Sequence, residues 1–294
     1  MLQQLFPPDD PTPRYRIQTL PLPDGTEVAF RDDPYSDRIR CDHPDVPDGE
    51  ALARALHVEA QLRGRSRLVL LVPARLRAGC EAAGMRHEAT MPGFYRGEED
   101  CAVLGLALTA ERATPADPDA ARWVDDLVRA HERDHTPRDR TPPPTDRATT
   151  DDARAIAALI NASFEYYPTP SGVPATIAES IEAGIPFRVA RGPEGQVVAC
   201  ASADLVRGAR TAELTDCATR PDFRGQGLMQ GLLTGLLDDL RDLDYPTAFT
   251  LARARQPGVN LGFLRVGFAY RGRMLRSCRL GDGIEDINVW SRRL

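Results

Sequence analysis

The stretch RPDFRGQGLMQG, residues 220–231, places an arginine and two glycines directly before an apolar helix. From residue 228 onward, leucines and one methionine recur at helical spacing, so one face of this helix packs against a core. The unpaired N–H groups and positive dipole end of a helix start attract anions. Gly225 and Gly227 let the backbone approach a ligand, and Arg224 adds a guanidinium. The segment predicts a phosphate site; an ordinary strand-to-helix turn is the alternative.

A second stretch, HPDVPDGEALAR at residues 43–54, has the same strand-to-helix position in the first half of the chain. Both halves predict the order strand, loop, helix, strand, helix and hairpin, which indicates an internal duplication. Coincidence is the alternative, because this order is common. The alignment pairs Pro44-Asp45 with Pro221-Asp222 and Gly84-Met85 with Gly267-Phe268.

In this alignment the first copy lacks the features of an anion site. Pro47, Asp48 and Glu50 stand in place of Arg224, Gly225 and Gly227. Carboxylates would repel an anion, and proline lacks the N–H that could bind one. We therefore expect the first copy to be structural.

Domain organisation follows from a segment rich in Pro, Thr, Asp and Arg, HTPRDRTPPPTDRATTDD at residues 135–152. It predicts a linker at 136–150 between an N-terminal domain, 1–135, and a C-terminal domain, 151–294. The length of 294 residues fits two domains. The C-terminal pattern predicts an α/β (α+β) fold, with a mixed, mostly antiparallel sheet flanked by helices.

The N-terminal sequence, the cysteine content and the net charge indicate the location and the partners of the protein. The start of the chain has neither the basic residues nor the apolar run of a signal peptide, and the six cysteines form no CxxC pair. We expect a cytoplasmic protein with reduced thiols. The net charge is −6 and neither half has a basic excess, so we expect no nucleic acid and no membrane as partner. A homodimer is compatible with the sequence.

The order of strand, RGQGLM, helix, strand and NLGFLRVGF resembles the GNAT superfamily of N-acetyltransferases. In that superfamily the pyrophosphate of acetyl-CoA lies on an Arg/Gln-x-x-Gly-x-Gly/Ala loop. Arg224 and Gly227 match this pattern, whereas Met229 departs from its last position. The resemblance implies a catalytic GNAT domain preceded by a degenerate GNAT-like half-repeat.

Longer stretches are similar to the β-lysine N-acetyltransferase family. They are AELTDCATRPDFRGQGLM, TLARA, EDINVW and, in the first half, HEATMPGFYRGEEDC. The resemblance covers most of residues 38–110 and 146–294. It implies acetyl transfer from acetyl-CoA to the small diamino acid β-lysine, giving the compatible solute N6-acetyl-β-lysine. Another amine acceptor, such as lysine or a polyamine, and a non-catalytic acyl-CoA-binding regulator are the alternatives.

The resemblance also implies the residues that hold the co-substrate. Backbone N–H groups of residues 217–219 would polarise the thioester carbonyl. The predicted acetyl-CoA-binding residues are Cys217, Ala218, Thr219, Arg224, Gly225, Gln226, Gly227, Leu228, Met229 and Asn260. For Asn260, capping its own helix is the alternative.

The expected general base is Glu213, because residues 146–294 contain no histidine and a carboxylate must serve instead. Glu213 aligns with the glutamate base of the superfamily's histone acetyltransferases. Strand alternation places it on one face with Thr215, Cys217 and Thr219. An ordinary surface or ion-paired glutamate is the alternative. We expect Cys217 to be structural, since this half has no histidine to activate a thiol nucleophile.

The general acid is unassigned. The tyrosine that often has this role in the superfamily falls near Phe263, which carries no proton to give. Tyr166, Tyr167 and Tyr270 are candidates, and the first two lie in a loop that could cover the acceptor.

The side chains expected to bind β-lysine are those whose charge is opposite to that of its carboxylate and ammonium groups. Arg253 suits the carboxylate through bidentate pairing, and Glu285 or Asp286 suits the non-reacting ammonium. Asp216, on the opposite strand face from Glu213, would order the loop or contact substrate. An ordinary surface charge is the alternative for Arg253, Glu285 and Asp286.

HERDH, residues 131–135, matches the HExxH zinc-peptidase pattern. Thr136-Pro137 ends the helix at once, and no further ligand follows at a suitable distance. We interpret the motif as the solvated end of helix 119–134 and expect no metal.

Overall fold

The computed structural model describes residues 15–133, 141–164, 169–281 and 283–294. The strands in these residues are β1 (Arg16–Pro21), β2 (Glu27–Asp33), β3 (Arg38–Asp42), β4 (Arg67–Pro73), β5 (Arg86–Tyr95), β6 (Glu99–Ala107), β7 (Asp146–Arg147), β8 (Phe187–Arg191), β9 (Val197–Val206), β10 (Thr211–Thr219), β11 (Thr247–Arg253), β12 (Ala269–Leu280) and β13 (Gly283–Arg293). The α-helices are α1 (Gly49–Leu62), α2 (Arg77–Ala82), α3 (Pro118–Arg133), α4 (Ala153–Ser163), α5 (Pro174–Glu182), α6 (Leu228–Asp242) and α7 (Pro257–Arg265). None of the helices in the described ranges is long and apolar enough to cross a bilayer.

The strands form one sheet in the order β1-β2-β3-β4-β6-β5-β12-β13-β11-β10-β9-β8-β7. Strands β3 and β4 pair in parallel, as do β10 and β11, while their neighbours pair antiparallel. The predicted mixed, mostly antiparallel sheet is therefore confirmed.

Counted outward from the β5–β12 junction, the strands of the two halves follow one another in the same order. Strands β3, β4, β5 and β6 correspond to β10, β11, β12 and β13, as the predicted duplication requires. The aligned pairs Gly84-Met85 and Gly267-Phe268 also have the same local structure. Each glycine is left-handed, and the N–H of the next residue donates to the carbonyl five residues earlier.

The two halves share a core where they meet. Buried Val69, Met91 and Phe94 of the first half pack with Phe249 and Met274 of the second. Gly272 pairs with Ala89 across the junction. A Cβ at Gly272 would lie 2.0 Å from the Glu88 carbonyl oxygen, so only glycine fits this approach.

Helix α3 lies on the second half, although the sequence analysis assigns it to the first. Val124 is buried in the core of the second half, with Trp123 and Leu127 packed beside it. The Ala116 N–H, just before this helix, donates to the Asp286 carboxylate. The boundary at 136–150 stays a prediction.

Helix α6 is held by the apolar face that the sequence predicts. Its buried leucines are Leu232, Leu233, Leu236, Leu237 and Leu240. Each buried leucine stabilises the fold by roughly 1.5–3 kcal/mol. On another side, a Cβ at Gly231 would lie 2.3 Å from the Pro143 carbonyl oxygen, so the middle of the predicted linker packs closely on the helix. These contacts fix where the helix starts.

Candidate active site

The site begins where β10 and β11 separate. Their parallel pairing runs from Thr211–Thr247 to Glu213–Phe249, yet β10 continues to Thr219 and β11 to Arg253. The pairing of β10 with β9 is also irregular between Thr215 and Ala218. The gap between β10 and β11 forms part of a cavity of about 1120 Å³.

Asp216 lies within that irregularity. Its backbone is left-handed, and its buried carboxylate accepts a 2.6 Å hydrogen bond from the Ser202 hydroxyl of β9. Residues 213, 215, 217 and 219 are partly exposed, whereas 214, 216 and 218 are buried, which confirms the predicted alternation.

The start of α6 opens into the same cavity. Its N-cap is Gly227, with φ +78°, and no side chain caps the helix. A Cβ at Gly225 would meet nothing within 4 Å. Arg224, Gly225, Gly227, Leu228 and Met229 line the cavity, as do Cys217, Ala218 and Thr219. Gln226 is exposed in the same loop.

This arrangement fits the pyrophosphate of acetyl-CoA. Within the described residues, no side chain caps the N–H groups at the helix start, and two left-handed glycines keep Cβ atoms away from them. An arginine stands beside them to add positive charge.

Glu213 also lines the cavity, next to a second carboxylate. Asp204 of β9 is its direct cross-strand partner. Burial raises the pKa of Glu213 to about 7, and the negative charges of Asp204 and Asp42 add to the shift, while the Arg40 charge opposes it. Burial and the Asp216 charge raise the pKa of Asp204 to about 6.

The opposite wall of the cavity comes from the first half of the chain. Arg31 of β2, Arg40 and Asp42 of β3, and His43 line it. The Arg40 guanidinium donates to both Asp42 carboxylate oxygens, at 2.7 and 3.0 Å. Sequence reasoning missed these residues. The available signal was the polar alternation RIRCD ending at the strand–loop position that corresponds to the end of β10.

The family model described as "Acetyltransferase (GNAT) family" matches residues 154–268, which contain Glu213 and the start of α6. The chain carries a GNAT-family acetyltransferase domain. It is an N-acetyltransferase, and its co-substrate is acetyl-CoA.

Two curated relatives and one solved structure give the context of this GNAT domain. The chain is 29% identical to the β-lysine N(6)-acetyltransferase of Methanosarcina mazei, over 83% of this chain and 97% of that one. It is also 29% identical to the N-acetyltransferase YodP of Bacillus subtilis, over 70% and 74% of the two chains. A phosphinothricin acetyltransferase from Sinorhizobium meliloti, crystallised with AcCoA, is 22% identical with a TM-score of 0.46, covering 51% of this chain and 87% of that one.

Two of the residues predicted to read the acceptor bind each other. The Arg253 guanidinium donates to both Glu285 carboxylate oxygens, at 3.0 and 2.5 Å. Arg253 lines the cavity, but Glu285 is buried beneath it and does not. The Arg255 guanidinium lies 3.3 Å from the same carboxylate. Glu285 is therefore an ion-pair partner inside the protein, which corrects the expectation that it contacts the ammonium.

Asp286 is likewise outside the cavity. Its carboxylate is buried and accepts from the backbone N–H groups of Ala116 and Arg276. It fastens the segment before α3 to an irregularity in β12.

Asn260 is fully buried, and its side chain makes four hydrogen bonds within the protein. Its amide donates to the carbonyls of Arg253 and Gln256, while its oxygen accepts from Asn288 and Trp290. The cavity is lined by its neighbours Val259 and Leu261 instead. The N-cap of α7 is Gln256, so Asn260 does not cap its helix but fixes it to the sheet, and its contact with acetyl-CoA stays a prediction.

Cys217 lines the cavity as a neutral thiol. Burial, aided by the Asp216 charge, raises its pKa to about 12. A thiol with this pKa is a poor nucleophile at neutral pH, which agrees with a structural role.

Of the three tyrosines proposed as general acid, Tyr270 lies in the described residues, and it does not line the cavity. Phe263 is buried and lines the cavity, whereas Tyr270 packs edge-on against Trp290 away from it. Among the described residues, the tyrosines that line the cavity are Tyr15 and Tyr35 of the first half. Tyr166 and Tyr167 lie outside the described residues.

Of the HERDH motif, the side chains of residues 131–133 and all of residues 134–135 lie outside the described part of the chain. Within that part, no three His, Cys, Asp or Glu side chains cluster as metal ligands.

Proposed function

We propose that the chain transfers the acetyl group of acetyl-CoA to the terminal amine of β-lysine, with Glu213 as general base. The observation that carries the proposal is the meeting, in one cavity, of an uncapped helix start and a glutamate whose pKa is about 7. Similarity to the Methanosarcina mazei β-lysine N(6)-acetyltransferase along most of both chains supports the acceptor.

The chemistry needs little from the protein beyond positioning and one proton acceptor. Acetyl-CoA supplies an acetyl group activated as a thioester. The N–H groups at the start of α6, with Arg224, hold the pyrophosphate. Backbone N–H groups of Cys217, Ala218 and Thr219, where β10 has left β11, polarise the carbonyl.

Glu213 takes the proton that the amine loses as the C–N bond forms and the C–S bond breaks. A base with a pKa near the working pH combines a useful ionised fraction with real basicity. The raised pKa of Glu213 suits this role, whereas the lower pKa of an ordinary surface glutamate would make it a weaker base.

The biological setting is part of the proposal. Acetylation of β-lysine would place the protein in compatible-solute synthesis, and thus in osmoprotection. The six free cysteines agree with a reducing cytoplasm.

The test is thiol release from acetyl-CoA with β-lysine, α-lysine, spermidine and an aminoglycoside as acceptors. We expect wild-type protein to prefer β-lysine. Glu213→Gln should lose about 10²–10⁴-fold in kcat, because general-base catalysis contributes that much. Its affinity for acetyl-CoA should be retained, and Glu99→Gln, a strand glutamate outside the cavity, should keep full activity.

Other outcomes would redirect the proposal. Preference for another amine would keep the mechanism and overturn the acceptor. Acetyl-CoA binding without turnover of any amine would favour the non-catalytic regulator. Full activity of Glu213→Gln would remove this residue as the base.

A further inference from the structure

The cavity wall that faces Glu213 is built by the half of the chain that lacks an anion-binding helix start. Arg31, Arg40 and Asp42 line this wall, and the charges of all three act on Glu213. The GNAT family model begins only at residue 154, so these residues lie outside the matched region.

The charges on this wall are mixed and held in place. Asp42 accepts two hydrogen bonds from Arg40, and the Arg31 guanidinium lies 3.6 Å from its carboxylate. The side chains of Arg40 and Asp42 are 14% and 13% exposed, and that of Arg31 is 43% exposed. Asp204, across the strand from Glu213, adds a further carboxylate to the cavity.

We propose that the first half reads the acceptor: Arg40, assisted by Arg31, binds the carboxylate of a zwitterionic diamine, and Asp42, assisted by Asp204, binds its non-reacting ammonium. This rests on the proposed function, in which the other amine of the same molecule reacts at Glu213.

This wall carries both positive and negative side chains. We therefore expect it to disfavour ligands that carry charge of only one sign. A ligand carrying only negative charge would meet Asp42 and Asp204, and one carrying only positive charge would meet Arg31 and Arg40. A molecule with both groups satisfies both sets through charge-assisted hydrogen bonds. Arg253, the predicted reader of the carboxylate, donates to Glu285 through Nε and a terminal nitrogen, whereas Arg40 donates to Asp42 through Nε alone.

The experiment measures equilibrium binding of three amines by calorimetry, in the presence of free CoA so that no turnover occurs. The probes are β-lysine, 1,4-diaminopentane, which lacks the carboxylate, and 6-aminohexanoate, which lacks the second amine. Arg40→Gln should weaken the binding of β-lysine and 6-aminohexanoate by about 10- to 100-fold and leave the binding of 1,4-diaminopentane nearly unchanged. Asp42→Asn should weaken the binding of β-lysine and 1,4-diaminopentane but spare that of 6-aminohexanoate.

Controls separate recognition from folding. Arg65→Gln breaks a partly buried pair with Asp32 in the same half but outside the cavity, and it should leave all three affinities unchanged. If Arg40→Gln fails to fold, the more exposed Arg31→Gln should show the same selectivity with a smaller loss.

The proposal is overturned if both substitutions weaken all three probes equally, or if neither differs from Arg65→Gln. The readout is independent of catalysis. Selective binding losses together with an active Glu213→Gln protein would uphold this inference and refute only the proposed base.

Discussion

The two helix starts, α1 and α6, occupy corresponding places in the duplicated fold but are used differently. At α1 the Asp48 carboxylate caps the helix, accepting from the N–H groups of Glu50 and Ala51 at 2.8 and 3.2 Å. At α6 the N-cap is Gly227, and no side chain takes that role. One start satisfies its donors internally, and the other leaves them for a ligand.

Packing around the two starts reinforces the contrast. A Cβ at Gly49 would lie 2.2 Å from the Leu76 carbonyl oxygen, so backbone covers the start of α1. The nearest atom to a Cβ at Gly227 would be 3.7 Å away, on Pro143. Glycine therefore serves close packing in the first half and access in the second.

The two parallel strand pairs also differ, because one stays paired to its end and the other separates. Strands β3 and β4 pair from Arg38–Arg67 through Asp42–Leu71, to the end of β3. Strands β10 and β11 part after Glu213–Phe249. The closed pair leaves no gap for a thioester, so we infer that the first half contributes side chains to the cavity but no co-substrate site.

Among the tests of this comparison, the largest expected effect comes from making the second helix start resemble the first. Gly227→Asp places a carboxylate at the N-cap of α6. It should weaken acetyl-CoA binding by about 10- to 100-fold, because charge-assisted bonds to the pyrophosphate are lost to an internal cap. Calorimetric titration with acetyl-CoA checks this.

Gly227→Asn is the matched control, since asparagine tolerates the left-handed backbone and caps a helix without a charge. We expect a smaller loss than for the aspartate. Equal losses would show that the cap geometry matters and the charge does not.

The pH profile is the next effect in size. Glu213 must be ionised to act as a base, so kcat/KM should fall about tenfold per pH unit below its pKa of about 7 and level off above it. Asp204→Asn should move the midpoint to lower pH, because it removes a negative charge that raises the pKa of Glu213. A midpoint unchanged in Asp204→Asn, measured by initial rates from pH 5 to 9, would argue against Glu213 as the titrating group.

The smallest effect tests the first helix start. Asp48→Ala should lower the free energy of unfolding by about 1 kcal/mol, as loss of an N-cap does. Affinity for acetyl-CoA should not change. Urea denaturation measures the first quantity, with the fully exposed Asp45→Ala as a control of little effect. A loss of acetyl-CoA affinity in Asp48→Ala would break the proposed asymmetry.

Local sequence patterns predict much of this fold. The helix after RGQGLM, the alternation along β10 and the duplication depend on periodicity and glycine positions, which the printed sequence displays directly. The loop alignment was less accurate. The sequence alignment pairs Asp48 with Gly225, whereas the structure makes Asp48 and Gly227 the corresponding N-caps, because the loop before α6 is longer.

Residues joined by long-range packing were not predictable in the same way. Arg253 and Glu285 meet only because β11 lies beside β13, and Arg40 reaches the Glu213 cavity only because the halves share one sheet. A charge that looks exposed in the sequence, such as Glu285, can be buried by a partner from a distant strand. Asn260 shows the same limit, since all four of its hydrogen bonds depend on α7 docking on the sheet.

The most direct test of the asymmetry is the number of acetyl-CoA molecules bound per chain, measured by equilibrium dialysis with labelled co-substrate. We expect one molecule per chain, with binding weakened by Gly227→Asp and unaffected by Asp48→Ala. Two molecules per chain, or binding that survives Gly227→Asp and is lost in Asp48→Ala, would contradict it.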